Sequence, residues 1–246
     1  MGSAPGPGQC VHCLGHFETL TWDHVFPKSW YPDTTPPNIA KWKIPACTRC
    51  NRDYGRLEED LLWRLGLSID PADQASLGVT DRVLKSVKPG LARSAKDREA
   101  RRRKMARIVT QLSAVSSPTS EGLLPNFGLV PGLDYPVIVS IPIDQNALIR
   151  LGQKIIRGVT YLESGSLIDS SYSIRLYFLE DDKGHDFITK VRSRGQLHES
   201  GPGISVTHAK TDEGGLSSLW FIEIWRKLKM CGVVIPSEQA VAAQGQ

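Results

Sequence analysis

Two Cys-x-x-Cys pairs, Cys10/Cys13 and Cys47/Cys50, stand within the first 50 residues of a 246-residue chain. They are its strongest constraint. Each pair makes a tight turn that aims two thiolates at one point, and four thiolates suit a tetrahedral Zn2+. A segment this short buries little apolar surface, so a structural metal is expected to hold it. The fifth cysteine, Cys231, is left over and reads as a buried thiol, which speaks against a disulfide framework. The N-terminus MGSAPGPGQC has no apolar signal core, and no run of 18 apolar residues occurs. A cytoplasmic protein without a membrane span is the expectation. His12 and His16 lie beside the first pair and could substitute as ligands, but read first as surface residues.

Between the pairs lie residues with a different chemistry. Leu20–Phe26 reads as a strand, Trp42–Pro45 as a second, and Thr48–Leu65 as a helix. The helix places Leu57, Leu61, Leu62 and Leu65 on one face. A long loop with Pro32, Pro36 and Pro37 joins the strands. Asp23-His24 ends the first strand, Asn38 lies in the loop, and Asn51 directly follows Cys50. Asp23 and Asn51 offer hard oxygen ligands suited to Mg2+ or Mn2+. A neutral imidazole such as that of His24 takes a proton from water near pH 7. A divalent ion beside it stabilises a pentavalent phosphate and its departing oxygen.

This order of residues, Cys-x-x-Cys, Asp-His-x-x-Pro-x-Ser, Asn, then Cys-x-x-Cys-Asn, resembles the HNH nucleases with their ββα-metal core. The resemblance covers residues 10–66. It implies that His24 is the general base, that Asp23 and Asn51 hold the catalytic ion, and that Asn38 steadies the loop carrying the base. It implies structural zinc at the four cysteines and products with 5′-phosphate and 3′-hydroxyl ends. An asparagine at the final position favours Mg2+ or Mn2+ over Zn2+ or Ni2+. Lys28, Arg49, Arg52 and Arg56 are candidates for phosphate contact. The competing expectation is a non-catalytic zinc module that binds nucleic acid.

The formal charge of +4 hides its distribution. Residues 93–107 hold eight basic side chains (Arg93, Lys96, Arg98, Arg101, Arg102, Arg103, Lys104 and Arg107) against Asp97 and Glu99. The remainder of the chain is mildly acidic. On a helix, like charges four residues apart repel. A polyanion relieves that repulsion and gains counterion release, so nucleic acid, DNA favoured, is the expected partner. One helix is expected over 93–115, with Met105, Ile108, Val109 and Leu112 on one face.

The expected organisation is α+β. Residues 1–9 form a disordered tail, 10–66 a small zinc-stabilised HNH domain, and 67–134 a helical basic connector and linker. Residues 135–236 form a C-terminal α/β domain of unassigned fold, and 237–246 a mobile tail. Short helices are expected at Ala72–Leu77 and Asp81–Val87. In the C-terminal part, strands are expected at Val137–Ile143, Ser173–Glu180, Asp186–Arg192 and Ser217–Trp225, and a helix at Gln145–Leu162. His185, His198 and His208 are scattered without metal spacing. This part is expected to serve recognition or assembly, through a regulatory partner or a second copy. HNH nucleases are often fused to such modules in bacterial defence and mobile elements, and by analogy one of these settings is expected.

Overall fold

The computed structural model describes residues 3–115, 138–178, 181–211 and 214–238. The segment 116–134, expected as a linker, lies outside them. Helix and sheet are mixed. The N-terminal part begins with a minimal hairpin of β1 (Gly8–Gln9) and β2 (His16–Phe17), with Gln9 opposite His16. Gly8–Gln9 thus falls in a strand where a disordered tail was expected. A second hairpin follows, β3 (Thr21–His24) against β4 (Lys43–Ala46), and then the long helix α1 (Thr48–Gly66). Leu57, Leu61 and Leu65 are the buried face of α1, with Leu62 packed beside them.

Helix α2 (Val79–Val87) and helix α3 (Ala95–Val109) come next. No helix forms at Ala72–Leu77, which is a run of turns. The helix expected over 93–115 stops at Val109, and Ser113–Val115 becomes β5, paired with β6 (Ile138–Ser140). Of its expected apolar face only Ile108 is buried, while Met105, Val109 and Leu112 are exposed. The reason is that α3 is held along α1 and α2 by charge rather than by an apolar stripe. Arg101 pairs with Asp97 and donates to Lys85 O, Lys104 pairs with Glu59 at 2.9 Å, and Arg107 lies 3.7 Å from Asp60.

Helix α4 (Gln145–Ser164) precedes β7 (Tyr172–Tyr177), helix α5 (Asp181–Arg194), and strands β8 (Gln196–Gly201), β9 (Ile204–Lys210), β10 (Ser218–Ile224) and β11 (Leu228–Pro236). The five strands form one antiparallel sheet in the order β7-β11-β10-β9-β8. Because every pairing in it is antiparallel, this part is α+β, not the α/β unit expected, whose strands would run parallel. Asp186–Arg192, expected as a strand, belongs to α5. Its β-branched residues suggested extended chain, but Phe187, Ile188 and Val191 recur at helical spacing and pack on Phe221 and Cys231. Alternation along β10 sorts the two faces of the sheet. Leu219 and Phe221 face α5, while Trp220, Ile222 and Ile224 face α4.

That second face is where the two ends of the chain meet. One apolar core contains Val25, Phe26 and Ile44 of the hairpin, Leu57, Leu61 and Leu65 of α1, the stripe Leu148, Leu151, Ile155, Val159 of α4, and the inner sheet face. Gly158 makes the approach of α4 close: a Cβ there would stand 2.8 Å from Val25 Cγ2. The Pro-rich loop is clamped against the sheet. Trp30 stacks on Trp225 at 5.1 Å, Trp225 Nε1 donates to Trp30 O at 2.8 Å, and Tyr31 shares a hydrogen bond with Ser200 at 2.7 Å. No helix among the described residues is long and apolar enough to cross a membrane.

Candidate functional site

The four N-terminal cysteines converge. Their sulfur atoms all lie within 4.8 Å of one another, and none is in a disulfide. Local backbone explains the convergence. Cys47 is the N-cap of α1, and its sulfur accepts the Cys50 N–H at 3.4 Å. The opposing turn closes with Leu14 N–H on Cys10 O and Cys10 N–H on Gly15 O, both at 2.9 Å, with Leu14 at φ 62°. Cys13 and Cys47 sulfurs are 3.9 Å apart. A tetrahedron with Zn–S bonds near 2.3 Å has sulfurs about 3.8 Å apart, so the residues fit a structural zinc ion. Among the described residues, their apolar cluster holds only Leu20 and Ala46 besides. Burial and the neighbouring thiols push Cys50 up. A bound cation supplies the charge that lets all four ionise.

Asp23 and His24 sit at the end of β3 and point to opposite faces, as neighbours on a strand must. Asp23 is buried at 4% exposure. One carboxylate oxygen accepts from Lys154 Nζ at 3.1 Å and the other from His12 Nε2 at 2.8 Å. Lys154, on α4 and fully buried, also bonds His24 O at 2.6 Å and pairs with Glu58 of α1. Burial pushes the Glu58 carboxyl up to about 7, more than the adjacent ammonium of Lys154 pulls it down. His12 is thus a buried partner of Asp23, not a surface residue; burial holds its imidazole below the usual range, so its ring N–H donates as a neutral group.

His24 is half-buried. Its Nε2 is sealed from solvent without a hydrogen-bond partner among the described residues. Burial, then the charges of Lys28 and cross-strand Lys43, hold the ring down at about 4, so it is neutral at pH 7. Asn51 lies in the first turn of α1 and reaches β3, donating to Thr21 Oγ1 at 2.8 Å and to Trp22 O at 3.2 Å. Asn51 thus lies against the Thr21–Trp22 half of β3, while Asp23 and His24 end the strand. Asn38 is exposed in a turn, and its side chain has no hydrogen-bond partner among the described residues. With both oxygens of Asp23 engaged by buried donors, this arrangement does not fit Mg2+ or Mn2+ at Asp23.

The basic run divides in two. Arg101, Arg103, Lys104 and Arg107 have carboxylate partners within α3 or on α1. Arg93, Lys96, Arg98 and Arg102 are exposed and form no ion pair among the described residues. Lys154 and Glu58 were missed from the sequence, although a signal existed. Each interrupts a buried helical stripe, Lys154 between Leu151 and Ile155, and Glu58 beside Leu57 and Leu61. A charge inside an apolar stripe needs a buried partner.

No protein-family model, curated protein or solved structure matches this chain.

Proposed function

We propose that the chain is an HNH-type endonuclease that hydrolyses phosphodiester bonds of nucleic acid, DNA favoured. The supporting observation is the joint placement of the Asp23-His24 strand end, Asn51 at the head of α1, and four converging cysteines on one hairpin-and-helix unit. In this reading His24 is the general base. Its neutral ring accepts the proton of a water molecule as that water attacks phosphorus and the 3′ oxygen departs. Arg93 and the exposed cations Lys96, Arg98 and Arg102 of α3 hold the polyanion through phosphate contacts, which position without reading sequence.

The second reading is a non-catalytic zinc module that binds nucleic acid. The buried Lys154–Asp23 pair favours it, because an ammonium already neutralises the carboxylate that the nuclease reading assigns to a metal ion. One assay separates the two. Supercoiled DNA, single-stranded DNA and RNA are incubated with the full chain and its His24→Ala variant, with Mg2+ or Mn2+ present. Cleavage by the wild type and a loss of at least ~100-fold in the variant support the nuclease. Equal cleavage by both removes His24 from the chemistry. Salt-sensitive binding with no cleavage by either establishes the binding module.

A further inference from the structure

Glu163, His198 and His208 converge at a place remote in sequence from the cysteines. The sheet register produces the meeting. His198 on β8 is opposite Val206 of β9, so His208, two residues further along, is its diagonal neighbour on the same face. His208 is directly opposite Trp220 of β10. The imidazoles stack at 5.4 Å with planes 9° apart, and His208 stacks in turn on Trp220 at 4.6 Å. The edge of the Trp42 indole closes the other side of His198 at 6.1 Å. This aromatic frame holds both rings so that their Nε2 atoms point the same way, toward the last turn of α4. There Glu163 Oε1 stands 2.6 Å from His208 Nε2 and also abuts His198 Nε2.

His198 Nε2 is sealed from solvent, and its contact with Glu163 lacks hydrogen-bond geometry. A shared proton therefore satisfies one imidazole and leaves the other without a partner. A cation between the three groups satisfies both.

We propose that Glu163, His198 and His208 form a second metal site, which binds a divalent ion of the zinc class through both Nε2 atoms and the carboxylate. Two imidazoles and one carboxylate suit Zn2+, Co2+ or Ni2+, and they do not suit the oxygen-loving Mg2+ or the thiolate-loving Cu+. The three ligand atoms already lie within 4.8 Å of one another. Bonds of about 2.0–2.2 Å to a tetrahedral ion place ligand atoms roughly 3.3 Å apart, so the carboxylate moves back by under about 1 Å. Glu163 stands in the final turn of α4 and is exposed, which permits that movement. Three protein ligands leave one coordination position for water or an exogenous ligand. The ion ties the end of α4 to the edge strand β8 and its neighbour β9.

The test uses the full chain, its Glu163→Gln variant and the double variant His198→Gln/His208→Gln. Each is loaded with Zn2+, passed through metal-free buffer, and assayed for zinc per chain by mass spectrometry. The wild type is expected to carry one more ion per chain than either variant, whatever the four cysteines hold. Added to chelator-stripped protein, Zn2+ is then expected to raise the melting temperature of the wild type further than that of Glu163→Gln, in which only the four cysteines can respond. The glutamine keeps a hydrogen bond to the imidazoles, so this variant carries the comparison if the double variant does not fold. Equal zinc content in wild type and Glu163→Gln, or an equal response of their melting temperatures to Zn2+, overturns the proposal.

Discussion

Lys154→Met is the most informative single perturbation of this fold. The wild-type ammonium has no solvent exposure and is shared by Asp23, Glu58 and the carbonyl of His24. Methionine fills a similar volume and removes the charge together with its N–H donors. Two carboxylates then remain buried, Asp23 with one donor from His12 and Glu58 with none. Breaking a buried ion pair from one side costs about 3–5 kcal/mol. At roughly 2–4 °C per kcal/mol for a chain of this size, the melting temperature falls by ~6–20 °C. The loss depends on pH, and its sign follows from Glu58. Burial raises its folded pKa from the ordinary 4.5 to about 7 even beside the ammonium, so the native state holds a proton that the unfolded chain has released. Stability contributed by this group therefore declines as pH rises from 4.5 through 7. Removing Lys154 raises that carboxyl further, and protonation at low pH relieves the variant. Urea melts of wild type and Lys154→Met at pH 5 and pH 8 are the assay, with a larger deficit expected at pH 8. Adding Glu58→Gln to the variant is expected to recover part of the loss at pH 8. A deficit under ~1 kcal/mol, or one equal at both pH values, refutes the reasoning.

Other consequences are open to simple measurements. Gly158→Ala drives a Cβ against Val25 and is expected to cost about 1–3 kcal/mol by overpacking, whereas Gly55→Ala, in open space on α1, is expected to stabilise by about 0.5–1 kcal/mol; denaturant midpoints decide both. Stripping metal with a chelator, or Cys50→Ser, is expected to unfold the β1–β2 hairpin and the Cys10–Gly15 turn, because among the described residues only Leu20 and Ala46 share the cysteines' apolar cluster; unchanged melting would count against a structural ion. Arg98→Gln and Arg102→Gln are expected to weaken DNA binding and lower its salt slope by about one each, while Arg101→Gln, whose side chain is spent on Asp97 and Lys85 O, is expected to lower stability first.

The N-terminal third was largely legible from sequence because its structure is local. A Cys-x-x-Cys turn, an alternating strand and a helical leucine stripe are each written within a few residues. So α1 begins and ends within a residue of its expected limits, and the four cysteines converge. The expected strands at Ser173–Glu180 and Ser217–Trp225 survive in β7 and β10 for the same reason. Where local patterns conflict, the sequence misleads. Residues 186–192 carry β-branched side chains yet form a helix that buries Val191 and packs Ile188 beside it, since the back of the sheet needs a cover.

What the chain alone determines about this protein is thus its set of ligands, its charge run and most of its regular elements. Tertiary structure decides what those groups face. Lys154 sits more than a hundred residues from Asp23, and only the packing of Gly158 against Val25 and Ile44 brings its ammonium to that carboxylate. His198 and His208 carry no recognisable spacing, and become neighbours through the register of β8 on β9, with Glu163 delivered by the end of α4. Spacing along a chain encodes a site only when one turn or one helix holds all its members. Sites assembled across strands and between helices are set by register and packing.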